Sequence, residues 1–141
     1  MKLSDLRTVK ELADNLNIDF KELAEGFIYN SSDFEIDNYR FISSNDIDEI
    51  QQNELKNDLY ILGCFNADFL ADYTDLSYKA IKALQKAEAY EELGEIIVDD
   101  IEAIQEGYKG ADGYGHHFNH YDGNEWEFTV DGIDYYYFRT N

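Results

Sequence analysis

An Asp-Gly pair near the C-terminus, Asp131-Gly132, restricts the fold more than any other feature of this sequence. On both sides of it, from Trp126 to Phe138, aromatic and β-branched residues alternate with polar ones. Two strands joined by a two-residue Asp-Gly loop form a hairpin, and the loop length fixes the strand register. Val130 is then set opposite Ile133, Phe128 opposite Tyr135 and Trp126 opposite Tyr137. These six share one face, while Glu125, Glu127, Thr129, Asp134, Tyr136 and Phe138 take the other, so the first face is expected to pack on helices. A second pair, Asp122-Gly123, splits the segment into three short aromatic runs, which predicts an antiparallel meander over residues 115–139.

Helical periodicity governs most of the remainder. Ser4 precedes Leu6, Val9, Leu12, Ala13 and Leu16, the spacing of an amphipathic helix with a hydroxyl cap. Asp19 and Glu22 open a second helix that carries Phe20, Leu23 and Phe27 inward. Residues 33–42 alternate through Phe34, Ile36, Tyr39 and Phe41, with Asp37-Asn38 as a turn or bulge, and read as strand. Asn45 or Ser44 caps a helix that runs to about Lys56 and buries Ile47, Ile50 and Leu55. Residues 59–73 hold a short apolar run interrupted by Gly63, expected as a buried strand or turn leading into a short helix from Asn66. Ser77 begins a helix with Tyr78, Ile81 and Leu84, and a last helix is expected from about Ala89 to Gly107. No repeat, low-complexity tract or linker interrupts the 141 residues, and 44% hydrophobic with 16% aromatic content supplies a core. The expected architecture is a single acidic α+β domain over residues 1–141: several helices packed on a small antiparallel sheet with a C-terminal β-meander.

Charge narrows the functional classes. Against 31 Asp and Glu stand 11 Lys and Arg, a formal net charge of −20 with a sequence pI near 4.2. Such a chain is repelled by phosphate backbones and anionic membranes and attracted to basic partners. No stretch approaches the roughly 18 apolar residues of a membrane span, and Asp5 interrupts the N-terminus with no apolar signal region behind it. A cytoplasmic location is expected. The single Cys64 allows no intrachain disulfide, in keeping with a reducing compartment.

The acidic segment from Glu88 to Glu106 is the most informative. It contains eight acids and no base, and Glu88, Glu92, Glu95, Asp99, Glu102 and Glu106 follow steps of 4, 3, 4, 3 and 4. On a helix this spacing places them on one side, with Tyr90, Leu93, Ile97, Ile101, Ile104 and Tyr108 opposite. Like charges at i,i+4 destabilise a helix by roughly 0.2–0.5 kcal/mol a pair, so the pattern runs against local stability. Carboxylates repeated at about 5.4 Å along a rod resemble a line of backbone phosphates, the ligand that Lys/Arg grooves hold.

Other constellations carry less. His116, His117 and His120, with Asp122, invite a metal reading. On a strand, however, His117 faces away from the other two, which are themselves about 13 Å apart, so no shared metal is expected. Asp122 and Asn124 start a calcium-loop pattern that Trp126 ends. Cys64 has no base nearby in sequence and reads as a small buried residue. The glycines of residues 110–115 follow a helix instead of opening one, unlike a phosphate-binding loop. The segment from Thr8 to Phe27 has the outline of a helix-turn-helix, but Asp19, Glu22 and Glu25 give its second helix the wrong charge for reading DNA, so a helical hairpin packed on the core is expected.

Residues 33–66, DFEIDNYRFISSNDIDEIQQNELKNDLYILGCFN, and the tail DGYGHHFNHYDGNEWEF with YYYFRTN resemble small acidic proteins of bacteriophages and mobile elements. No active site is assigned to those proteins, so no residue role transfers. In size and charge the chain is similar, as a class, to DNA-mimic antirestriction and anti-CRISPR proteins, which share charge and not a fold. The expected function is that of a non-enzymatic inhibitor, without cofactor or metal, that occupies the basic groove of a nucleic-acid-binding protein such as a nuclease or a CRISPR or restriction effector. Glu88, Glu92, Glu95, Asp99, Glu102 and Glu106 are its expected contact residues. The alternative is an acidic adaptor or regulatory subunit that binds protein through the aromatic C-terminal sheet, and a hydrolase or metal-dependent enzyme ranks third.

Overall fold

Alternating apolar residues on either side of Asp37-Asn38 and Asp131-Gly132 build two hairpins that join into one sheet. In the computed structural model, which describes residues 1–141, the strands are β1 (Asp33–Ile36), β2 (Tyr39–Ser43), β3 (Trp126–Val130) and β4 (Ile133–Arg139). They are antiparallel throughout, in the order β1-β2-β4-β3. Asp131 and Gly132 have φ values of 53° and 75°, the positive pair a tight hairpin turn of matching twist requires. The register is the expected one, with Val130 opposite Ile133, Phe128 opposite Tyr135 and Trp126 opposite Tyr137.

The chain folds as two compact units, Met1–Ile47 with Gly113–Asn141, and Asp48–Asp112. In the first, α1 (Leu3–Leu16) and α2 (Phe20–Tyr29) share a core with the sheet. Phe27 is its hub, its ring centre lying 4.8 to 5.7 Å from those of Phe34, Phe41, Phe128 and Tyr135. Five of the six residues expected on the packing face, Phe128, Val130, Ile133, Tyr135 and Tyr137, belong to this core, and Trp126 stacks on Tyr137 at 5.5 Å. The Asp19 carboxylate accepts from the Glu22 N–H at 2.9 Å and caps α2 as expected. Ser4 does not cap α1. Lys2 is the capping position, and its N–H donates to Asp5 at 3.1 Å, so the helix starts two residues earlier.

The second unit is all helix: α3 (Ile47–Lys56, whose first residue still belongs to the first unit), α4 (Leu59–Gly63), α5 (Ala67–Tyr73), α6 (Tyr78–Lys86), α7 (Tyr90–Ile97) and α8 (Ile101–Asp112). Leu55, Leu62, Leu70, Ile81, Leu93, Ile97, Ile101 and Ile104 form its core. Asn66 and Ser77 accept from the N–H groups of Phe69 and Ala80 and cap α5 and α6, as read from sequence. Residues 59–63 form a helix instead of the strand or turn expected. The Asp58 carboxylate caps it at 3.2 Å through the Ile61 N–H, and Gly63 and Gly94 let α4 and α7 touch backbone to backbone. Cys64, expected to be buried, follows this helix and is exposed. Gln105, fully buried, donates to Gln51 and Asp48 at 2.9 Å and ties α8 to α3.

Two further expectations need correction. The acidic helix does not run unbroken from 89 to 107, because Val98–Asp100 form a 3₁₀ turn between α7 and α8. Ile96, Ile97 and Val98 are consecutive β-branched residues followed by Asp99 and Asp100, five poor helix formers in a row, and the acids favour the start of a new helix over the end of an old one. In the C-terminal segment, the first aromatic run forms α9 (Gly115–Phe118) and not a strand. The Glu125 carboxylate accepts from the N–H groups of Tyr114 and Gly115 at 2.8 and 3.2 Å and holds the start of that helix. Buried Asn119 fastens the following loop, accepting from the Tyr121 and Asp122 N–H groups and donating to the Asn124 carbonyl. Asp122-Gly123 therefore lies in a loop, and the neighbour of β4 on its other side is β2. No helix of the chain is long and apolar enough to cross a membrane.

Candidate functional site

The apolar stripe of the acidic segment is what orients its carboxylates. Leu93, Ile97, Ile101, Ile104 and Tyr108 are each 8% exposed or less and anchor α7 and α8 on the helical core. Glu88, Glu92, Glu95, Asp99, Glu102 and Glu106 are all solvent-exposed as a result. The structure places Glu92 and Glu95 on α7, Asp99 in the 3₁₀ turn, and Glu102 and Glu106 on α8. Glu88 lies before α7, in a tight turn with φ of 58°. The ribbon is therefore two helical segments hinged by a turn, with Glu88 as an outlying residue.

Little cationic charge offsets it. From Asp48 to Asp112 there are 16 acids and 5 bases, and of the six ribbon residues only Glu106 forms an ion pair, with Lys109 at 2.9 Å. Lys109 also reaches Asp48 at 3.4 Å, and the hydrogen bond that its ammonium donates to Glu106, helped by the charges of Asp48 and Glu106, holds it above the ordinary lysine range against the opposing loss of hydration. Sequence reading had passed over Lys109, although its place three residues after Glu106 is the spacing of a helical ion pair. At the hinge, Asp99, Asp100 and Glu102 border a shallow groove that also meets Lys56. Chemically the arrangement offers a row of solvent-exposed carboxylates along α7, the 3₁₀ turn and α8. Such a row can accept hydrogen bonds from Lys and Arg in large number.

The remaining candidates do not converge. His116 and His117 lie on α9, where His117 meets the Phe118 ring edge-on at 4.6 Å, while the His120 backbone N–H donates to the Arg139 carbonyl. None of the three lies on a strand, contrary to expectation, and no group of three or more His, Cys, Asp and Glu side chains is placed to hold a metal ion. The Asp122 carboxylate is turned to the Asn124 N–H at 3.1 Å. On the aromatic sheet, Val130, Tyr135 and Phe138 are at most 2% exposed, and Phe118 and Phe138 pack against each other at 5.2 Å on the second face. The Arg40 guanidinium lies 5.1 Å from the Phe118 ring centre and pairs with Asp33 through two bonds of 2.7 and 2.9 Å. Comparison with protein-family models, with curated proteins and with solved structures returned no match.

Proposed function

We propose that this chain is an acidic inhibitor of the phage-encoded, DNA-mimic type, which occupies the basic groove of a nucleic-acid-binding protein in the cytoplasm and performs no catalysis. The observation that carries this reading is the ribbon itself: five exposed carboxylates along α7, the 3₁₀ turn and α8, backed by a buried apolar stripe, with Glu88 just before them, and five of the six without an ion-pair partner. Unpaired like charges cost local stability. Their arrangement on helices anchored to a buried core favours recognition by a complementary cationic surface, where charge-assisted hydrogen bonds are the strong ones. The adaptor reading has less support, because the aromatic face it requires is occupied by the protein's own core.

The test starts from a pull-down at low salt from host lysate, followed by competition between this protein and DNA or RNA for the captured nucleic-acid-binding protein. Converting Glu92, Glu95, Asp99 and Glu102 to Lys should abolish competition while the buried stripe keeps the helices in place. A control set of exposed acids elsewhere, Glu11, Asp72, Asp75 and Glu127, makes the same change in net charge. Asp5 and Asp14 are unsuitable for that control, since Asp5 caps α1 and Asp14 pairs with Lys10 at 2.8 Å. Equal losses in both variants would reduce the effect to bulk charge, and undiminished competition by the ribbon variant would refute the site.

A further inference from the structure

Within the first unit, three separate chain segments line an open cavity of about 490 Å³: the turn between α1 and α2 at residues 16–18, the turn between β1 and β2 at residues 37–39, and the end of β4 at Arg139. Its polar groups are of mixed sign. Arg139 supplies a guanidinium, Asp37 a carboxylate, and Asn17 and Asn38 neutral amides, beside the apolar Leu16 and Ile18. The guanidinium is held without use of its donors, stacked 4.0 Å from the centre of the Tyr121 ring and 5.9 Å from that of Tyr39. Its Nε is buried and has no acceptor. In a chain with 31 acids this is notable, because Arg40 on the neighbouring strand is fully engaged by Asp33. Asp37 lines the same cavity, yet no ion pair within 4.0 Å joins it to Arg139. Asn17 and Asp37, with φ of 56° and 52°, both take the left-handed conformation that Asn and Asp tolerate best, and this brings the two turns to the cavity rim.

We propose that this cavity binds a small zwitterion of the α-amino-acid class, with its carboxylate on Arg139, its ammonium on Asp37 and its side chain against Leu16 and Ile18. Two opposite charges fixed in one cavity without meeting each other match a ligand that carries both. A planar guanidinium held by aromatic stacking is pre-organised for bidentate binding of a carboxylate. A simple anion would be opposed by Asp37 and by the net charge of −20, and a simple cation by Arg139, whereas a neutral zwitterion meets neither penalty. The site is independent of the acidic ribbon.

The twenty free amino acids, offered one at a time to the isotope-labelled full chain, provide the test by NMR titration, with acetate and methylammonium as single-charge controls. At least one amino acid should produce saturable shifts confined to residues 16–18, 37–39 and 139, and should bind about tenfold or more tightly than either control. Arg139→Gln and Asp37→Asn should each weaken binding by about tenfold or more, while Arg7→Gln, on the exposed side of α1, should not. Asp37→Asn keeps a residue suited to positive φ, so it reads the charge even if Arg139→Gln disturbs the fold. Absence of saturable shifts with every amino acid would overturn the proposal. So would acetate binding as tightly as the best amino acid, or titrations unchanged in both cavity variants.

Discussion

Asp5 shows how one side chain serves two turns of the chain. Its carboxylate accepts from the Asp131 N–H at the tip of the β3-β4 hairpin and from the Lys2 N–H at the start of α1, both at 3.1 Å. These bonds, the one from Asp131 foremost, hold its carboxyl below the usual aspartate range. A carboxyl lowered in the folded state adds stability that is present above the unfolded pKa and is lost as pH falls through the folded one. The Asp5 carboxyl should therefore titrate below that of an unstructured peptide by NMR, and a midpoint at or above the peptide value would contradict the double cap. At the alkaline end the sign is opposite. Burial, with a smaller push from Asp112, raises the Tyr108 phenol from 10.0 to about 12, and burial raises Tyr135 and Tyr137 as well. Stability linked to these phenols is complete below the unfolded tyrosine pKa and is lost as pH climbs through the folded values. Denaturation measured above pH 10 should show a steep fall that Tyr108→Phe makes shallower, and an unchanged slope would remove Tyr108 from that account.

At the level of elements, the contact between α4 and α7 is the most sensitive to a single atom. A Cβ on Gly94 would run into the Leu59 carbonyl and one on Gly63 into the Tyr90 carbonyl, backbone groups that cannot swing aside. Gly94→Ala and Gly63→Ala, which would otherwise gain helix propensity, should each lower stability in urea by about 1–3 kcal/mol. A neutral or stabilising effect would mean that the two helices are free to separate. This packing also marks the boundary of what the sequence discloses. Several turns and caps were legible because their chemistry is local: Asp131-Gly132 sets a register, and Asp19, Asn66 and Ser77 each satisfy an N–H three residues on, whereas Ser4 and Asp122-Gly123 carry the same signals and form neither cap nor hairpin. Residues 59–63 were not, since a five-residue apolar run has no period to distinguish helix from strand, and what selects helix is the glycine contact with α7. Nor was α9, whose start is held by Glu125 from ten residues further along the chain. In the candidate site, the 3.6-residue period revealed which acids face solvent, and the break at Val98–Asp100 was concealed because the charge pattern continues in phase through it.

For the molecule as a whole, electrostatic repulsion is the dominant long-range term. The 31 acids outnumber the bases almost threefold, and the ion pairs that form, such as Lys10–Asp14 at 2.8 Å, are mostly exposed and so worth about 0–1 kcal/mol each. Added salt weakens these few attractions and the many repulsions together. The repulsions are more numerous and act over longer distances, so they lose more as the Debye length shrinks from about 30 Å at 0.01 M to about 8 Å at physiological ionic strength. The melting temperature should therefore rise over that range, against the trend of a protein held together by surface ion pairs. Reversing Glu92, Glu95, Asp99 and Glu102 to Lys takes the net charge from −20 to about −12 and should make the rise smaller. If repulsion is concentrated along the ribbon, where five of six carboxylates form no ion pair, this variant should lose more of its salt response than the control set of equal charge. A melting temperature that does not move with salt in the unaltered protein would show that the ribbon is screened locally, and a groove-binding role would then need a source of attraction other than unpaired charge.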